Sequence, residues 1–320
     1  MVGKKVVITD YQYENVDNER KIVEEAGFAL EVYNSKEKSD VISAVREADA
    51  VIVQYADIDE EVISHMEKCK VIIKYGIGFN NIDTKAASKK SIYVCNVPDY
   101  GIDEVANHAI AMIMALAKKL ITIDGALKKG DWSYDSIIPL YRMAGSTLGL
   151  VGLGRIPMSV AKKMKGFDME ILAYDPFVDK KLAEENGVKL VDFDTLCTKS
   201  DFISVHCPLN DDTLHLFNKD VFDKMKETAY LINTARGPVI NEADLIEALK
   251  AKKIAGAGLD VFEVEPITKD NELLNLENVI ATPHIAWYSE QAINSVQSKA
   301  AIEAVNVISG NKPLNPVNSF

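Results

Sequence analysis

Short, nearly continuous apolar runs rich in β-branched residues recur along the chain, separated by stretches with helical spacing. Val6-Val7-Ile8 opens the series, a helical pattern through Ile22, Val23 and Ala26 follows, and Phe28 to Val32 is the next run. The rhythm continues through Val51-Ile52-Val53, Val62 to Met66, Val71-Ile72-Ile73 and Ile92-Tyr93-Val94. A strand with one wet face alternates polar and apolar residues, whereas a strand apolar throughout is covered on both faces, as in a parallel sheet between helix layers. The pattern predicts a doubly wound α/β unit.

Val97-Pro98-Asp99-Tyr100-Gly101 interrupts the rhythm. One long helix is expected from Ile102 to about Lys129, with Gly130 as its C′ residue. A second series then runs through Thr147 to Val151, Ile171 to Tyr174, Phe202 to Val205, Ala229 to Ile232, Ala255 to Leu259 and Val279 to Ala281, and a last helical pattern from about Glu290 to Ile308 ends at Gly310. At roughly 100–200 residues per domain, the length of 320 allows two domains. The expected division is residues 1–98 with 286–320 against 99–285. Two parallel-sheet units joined by long helices predict a cleft between them.

Charge and cysteine usage narrow the partners. Thirty-six Lys and Arg face 48 Asp and Glu, a net charge of −12, which repels nucleic-acid backbones and anionic lipid. Cys69, Cys95, Cys197 and Cys207 form no C-x-x-C pair, so free thiols in a reducing cytoplasm are expected. The stretch Met1 to Asp10 is too polar for a signal-peptide core, and the longest apolar run, Ala109 to Ala117, is about half of the roughly 20 residues a bilayer crossing needs. Neither nucleic acid nor membrane is an expected partner. No metal is expected either, because His206 and Cys207 are adjacent and the remaining His and Cys show no ligand spacing.

Leu148-Gly149-Leu150-Val151 leads directly into Gly152-Leu153-Gly154-Arg155-Ile156-Pro157 and then the helical pattern Val160, Ala161, Met164. A strand, a glycine turn and a helix start is the arrangement in which backbone N–H groups hold a pyrophosphate. Pro157 replaces the third glycine, which the first helical turn tolerates because the N–H lost there has no intrahelical partner. The next strand ends in Asp175, 23 positions after Gly152, close to the roughly 20 expected for the acid that binds a ribose 2′-hydroxyl. Pro176 and Phe177 follow, with no adjacent Arg for a 2′-phosphate, so NAD is favoured over NADP. The competing account of Asp175 is a helix cap at a strand end.

Three later loops follow strands of the second series, where ligands bind in parallel sheets. They are Asn233 to Pro238, Asp260 to Pro266 and Thr282 to Trp287. Arg236 can bind a carboxylate bidentately, and His284 backed by Glu265 is a proton donor. Taken singly, Arg236 is also a plausible surface ion pair, Glu265 a solvated loop acid and His284 a turn residue.

At these residues, and at Gly76-Ile77-Gly78-Phe79-Asn80-Asn81-Ile82-Asp83, Cys95-Asn96-Val97-Pro98 and His206-Cys207-Pro208-Leu209, the sequence resembles the D-2-hydroxyacid dehydrogenase family. Within it the resemblance is to the branch that includes the C-terminal-binding-protein corepressors. The resemblance implies a catalytic triad of Arg236, Glu265 and His284. It also implies cofactor contacts from Gly152, Gly154, Arg155, Ile156, Asp175, His206, Cys207, Pro208, Thr213, Thr234, Ala235 and Asp260. Substrate contacts fall on Lys74, Tyr75, Gly76, Ile77, Gly78 and Trp287, with the Gly76 to Gly78 turn offering N–H groups to a carboxylate. The family's architecture is a Rossmann NAD-binding domain, here 99–285, and a flavodoxin-like substrate domain formed by the first and last segments. A homodimer through the 102–129 helix region is implied as well. Lys74 stands where the corepressor branch has Arg, and Asn80 where Asp is usual.

The reading is an NAD-dependent oxidoreductase interconverting a small 2-keto acid and its D-2-hydroxy acid, the D configuration resting on the resemblance. The alternative is an NAD(H)-gated protein-binding module of corepressor type. It is disfavoured by the negative charge and by a chain that begins at its first strand and stops soon after its last helix. Formate dehydrogenase, a relative within the family, would have no carbonyl for His284 to protonate.

Overall fold

The computed structural model describes residues 3–320, so Met1 and Val2 of the N-terminal stretch read above lie outside the described residues. The chain divides into two compact units, one running to Gly101 and resuming at Ser289–Phe320, the other Ile102–Tyr288.

The first unit alternates β1 (Lys5–Ile8), α1 (Asp17–Glu25), β2 (Ala29–Val32), α2 (Lys38–Val45), β3 (Ala50–Val53), α3 (Glu60–Ser64), β4 (Val71–Lys74), α4 (Thr84–Lys89) and β5 (Tyr93–Cys95). The five strands are parallel in the order β2-β1-β3-β4-β5, the flavodoxin-like order. Every residue of β3 and β4 is buried, as the unbroken apolar runs require. Val62 to Met66 departs from the strand rhythm. Asp59 caps this segment by accepting the Val62 N–H at 3.0 Å, and Val62, Ile63 and Met66 then fall on one buried helical face.

The second unit begins with α5 (Ile102–Ala117) and α6 (Leu120–Lys128). This corrects the single helix expected from Ile102 to Lys129. Lys119 adopts the left-handed conformation, φ 49°, and breaks the helix where the apolar face ends. Val105, Ala106, Ala109, Met112, Ile113, Leu116 and Ala117 form the buried stripe of α5, while α6 buries no residue. Gly130, at φ 89°, is the C′ residue of α6.

There follow β6 (Thr147–Val151), α7 (Arg155–Met164), β7 (Glu170–Tyr174), α8 (Lys180–Glu185), β8 (Lys189–Leu190), α9 (Phe193–Lys199), β9 (Phe202–Val205), α10 (Lys219–Phe222), β10 (Tyr230–Asn233), α11 (Glu242–Lys250), β11 (Gly256–Leu259) and β12 (Val279–Ala281). The seven strands are all parallel in the order β12-β11-β10-β9-β6-β7-β8. Counted from β6, that is the Rossmann order with one further strand. The order reverses at β6, whose neighbours are β7 and β9, so the β6–α7 turn sits at the switch point where such sheets bind ligands. The last helix, α12 (Glu290–Ile308), returns to the first unit and packs on α1, β3 and β4. No helix among the described residues is long and apolar enough to cross a membrane.

Candidate active site

The glycine turn is built around two contacts. Gly152 sits at φ 91°, and a Cβ there would lie 3.0 Å from the Cys207 amide nitrogen and 3.1 Å from the His206 carbonyl carbon, so no side chain fits. Gly154 is the N-cap of α7 and offers no side chain to its first turn, unlike the Asp and Asn caps of α8, α9 and α11. The exposed end of α7 is thereby left to an anion. Pro157, in that first turn, is buried.

Asp175 reaches back to the same turn. Its Oδ2 accepts the Leu153 N–H at 2.8 Å and its Oδ1 accepts the Phe177 N–H at 2.9 Å. An ionised carboxylate has about four acceptor positions, so two remain for ribose hydroxyls. Directly after β10, the Thr234 hydroxyl is buried without a partner, an orphaned polar group of the kind a bound ligand satisfies. His206 Nε2 pairs with Ser204 Oγ at 2.8 Å, and burial holds this imidazole down at about 3. Burial also pushes the Cys207 thiol up to about 11, which leaves no thiolate at neutral pH. Thr213 spends its hydroxyl on the Pro208 carbonyl at 2.6 Å. The orphaned hydroxyl, the uncapped helix and the two open acceptor sites on Asp175 fit a dinucleotide.

The acid–base pair lies at the ends of β11 and β12. His284 Nδ1 donates to Glu265 Oε2 at 2.6 Å, and Phe262 N–H donates to Glu265 Oε1 at 3.0 Å. Burial pushes the Glu265 carboxyl up, but His284, the Phe262 amide and the charge of Arg236 together outweigh it and hold the group below its ordinary value. Glu265 is therefore ionised and can only accept, which fixes the proton on Nδ1 and leaves Nε2 of His284 for exchange. Arg236, whose charge acts on Glu265, follows β10, and its Nη1 donates to the Ala235 carbonyl at 2.6 Å.

His284 itself is in the left-handed region, φ 53°, a conformation costly for a residue with a Cβ. Asp260 maintains it. This carboxylate, 1% exposed, accepts from Ile285 N and Ala286 N, both at 2.9 Å, and from Thr282 Oγ1 at 2.5 Å. The His284 amide donates to the Asp260 carbonyl at 2.8 Å. Trp287 Nε1 donates to the His284 carbonyl at 2.9 Å, tying the indole to the same turn. His108 of α5, which the sequence did not single out, pairs with Thr282 Oγ1 at 3.0 Å.

Lys74, Tyr75 and Gly76 to Gly78 belong to the first unit. Lys74 is buried, with Nζ on the Gln54 carbonyl and on Asn81 Oδ1. Tyr75 Oη donates to the buried Glu19 at 2.5 Å. The turn is held by Val97 N–H on the Gly76 carbonyl and Asn96 Nδ2 on the Ile77 carbonyl.

Residues 110–286 match the family model of the D-isomer specific 2-hydroxyacid dehydrogenase NAD-binding domain. The chain belongs to the D-isomer specific 2-hydroxyacid dehydrogenase family. It is 40% identical over 316 residues to a D-3-phosphoglycerate dehydrogenase of Archaeoglobus fulgidus, covering 98% of this chain and 59% of that protein. A glyoxylate reductase of Korarchaeum cryptofilum is 38% identical, with 92% of this chain and 91% of that protein aligned. Among solved structures, the D-lactate dehydrogenase of Aquifex aeolicus complexed with NAD and lactic acid superposes with a TM-score of 0.91 at 32% identity, covering 98% of this chain and 99% of that one. The second unit of this family member thus carries the family's NAD-binding domain.

Proposed function

We propose that this 2-hydroxyacid dehydrogenase family member reduces a small 2-keto acid to its D-2-hydroxy acid with NADH, and runs the reverse reaction, in the cytoplasm as a homodimer. The observation that carries the reading is the 2.6 Å pair of His284 and Glu265, with Arg236 acting on the same carboxylate, at the strand ends of an NAD-binding domain.

In this reading Arg236 holds the substrate carboxylate and polarises the keto oxygen. NADH, when bound, supplies the hydride that the keto carbon accepts. His284 gives the alkoxide oxygen the proton of Nε2, and Glu265 holds the ring by Nδ1 and stabilises its charged form. In the oxidising direction neutral Nε2 takes the hydroxyl proton back. The amide-rich α7 end receives the pyrophosphate, Asp175 the adenosine ribose, and Thr234 the nicotinamide side. Gly152, Gly154, Arg155, Ile156, His206, Cys207, Pro208, Thr213 and Ala235 complete the cofactor surface, and Asp260, buried behind the His284 turn, supports it. The first unit is the substrate domain, with Lys74 and the Tyr75 to Gly78 turn as its carboxylate-receiving residues; in the second unit, Trp287 is the residue for the substrate side chain.

The dimer is supported by α6 and the segment after it, where Leu120, Ile121, Leu127, Trp132, Tyr134 and Tyr141 are exposed. Large apolar side chains exposed so close together in the sequence are what a subunit interface would cover. The four buried, unpaired cysteines agree with a reducing compartment.

The test is initial rates of NADH oxidation with glyoxylate, pyruvate, hydroxypyruvate, phosphohydroxypyruvate and branched 2-keto acids, with chiral analysis of the product. At least one should be reduced to the D-hydroxy acid. An L product, or no turnover of any 2-keto acid, would contradict the reading.

A further inference from the structure

Unit two holds a hydrogen-bonded histidine–carboxylate pair outside the acid–base pair. His215 Nε2 donates to Glu263 Oε1 at 2.5 Å. His215 lies between β9 and α10, in the left-handed region at φ 51°, and Glu263 lies two residues before Glu265. Neither residue has a role in the chemistry above.

Their connections run to both catalytic loops. The His215 amide donates to the Pro238 carbonyl at 2.8 Å, and Phe217 N–H donates to the Val239 carbonyl at 3.0 Å, so this segment lies alongside the residues that follow Arg236. Gly237, next to Arg236, is packed on the Phe262–Glu263 peptide so closely that a Cβ would stand 1.8 Å from the Phe262 oxygen and 2.6 Å from the Glu263 nitrogen. That same peptide segment holds Glu265 through the Phe262 amide. The Glu263 amide donates to Glu242 Oε2 at 3.2 Å, and Asn271 Nδ2 donates to Glu242 Oε1 at 2.6 Å, which anchors the loop to α11.

We propose that His215 and Glu263 are positioning residues: their hydrogen bond clasps the Arg236 loop to the Glu265 loop and sets the spacing of the carboxylate-binding arginine and the acid–base pair. The catalytic consequence rests on the function proposed above. Arg236 and Glu265 are on separate loops after separate strands, and Gly237 joins them by backbone packing, which a side-chain lock would reinforce. The His215–Glu263 bond supplies that lock from the side. A misplacement of about 1 Å in a catalytic group costs on the order of 10²-fold in rate, so a partial loosening is expected to cost about tenfold.

The test compares His215→Ala, His215→Gln and Glu263→Ala with the unaltered chain. Hydrogen exchange, which needs no activity, should rise about tenfold in both 236–240 and 262–265 for the alanine variants and stay within about twofold for His215→Gln, whose amide can still donate. In initial rates, the alanine variants should raise the keto-acid KM and lower kcat, each by about tenfold, with the NADH Kd within about twofold. A loss of folded enzyme would lower kcat and leave KM alone. Unchanged exchange in both segments, or unchanged KM and kcat in a His215→Ala protein that melts like the unaltered chain, would overturn the clasp. Should the unaltered chain reduce no 2-keto acid, the function proposed above fails, and exchange alone decides whether the two loops are coupled.

Discussion

Glu265 carries a carboxyl held below its ordinary value although burial pushes it the other way, because His284, an amide and Arg236 all favour its charge. A depressed carboxyl contributes fully above the ordinary carboxyl value and loses that contribution as pH falls through the depressed one, so at neutral pH the pair is intact. Glu265→Gln keeps the shape and removes the charge. The falling limb of the reduction profile should then move to lower pH, because the charged ring that must give the proton loses its carboxylate partner. The rising limb of oxidation should move the same way; limbs that stay in place while chemistry limits the rate would separate Glu265 from His284. Asp175 yields a second residue-scale expectation. NADH should be strongly preferred to NADPH in kcat/KM, and Asp175→Ala should shrink the preference, because the carboxylate repels a 2′-phosphate. Some weakening of both cofactors should accompany it, since Asp175 also holds the Leu153 and Phe177 amides. Arg236, Glu265 and His284 could be picked out because each follows an apolar run that reads as a strand of a parallel sheet. The service of Asp260 to the His284 turn could not, nor could the His108–Thr282 and His215–Glu263 pairs. Those bonds join residues 25 or 26, 174 and 48 positions apart, and no local pattern encodes them.

At the scale of elements, apolar runs identified buried strands well because a parallel sheet demands apolar residues on both faces. They failed at α3, where three apolar residues at helical spacing also form a short run, and only the Asp59 cap distinguishes the two. They failed again at Lys119, whose left-handed conformation leaves no mark in composition. That break separates α5, which packs on its own sheet, from α6, which buries nothing within the chain. If α6 is covered by a second copy, Leu127→Glu should convert a dimer in sedimentation equilibrium to a monomer and leave the melting of an isolated subunit little changed. A Leu127→Glu chain that sediments like the unaltered one would remove α6 from the interface.

On the scale of the molecule, the alternation of runs and helical stretches was enough to anticipate two parallel sheets, and the strand orders place both among doubly wound folds. The identity of the keto acid was not legible, because it depends on the spacing of loops rather than on any residue pattern. The relatives differ in that respect, being named for phosphoglycerate, glyoxylate and lactate. Under the function proposed above, His284 is the proton donor of an NADH-dependent reduction. The most direct test of that role is the kcat of His284→Asn with the best 2-keto acid, alongside NADH affinity by fluorescence titration. A fall of about 10²- to 10⁴-fold in kcat with NADH affinity retained is expected. A His284→Asn chain that keeps kcat within about threefold of the unaltered one, with chemistry limiting the rate, would contradict it.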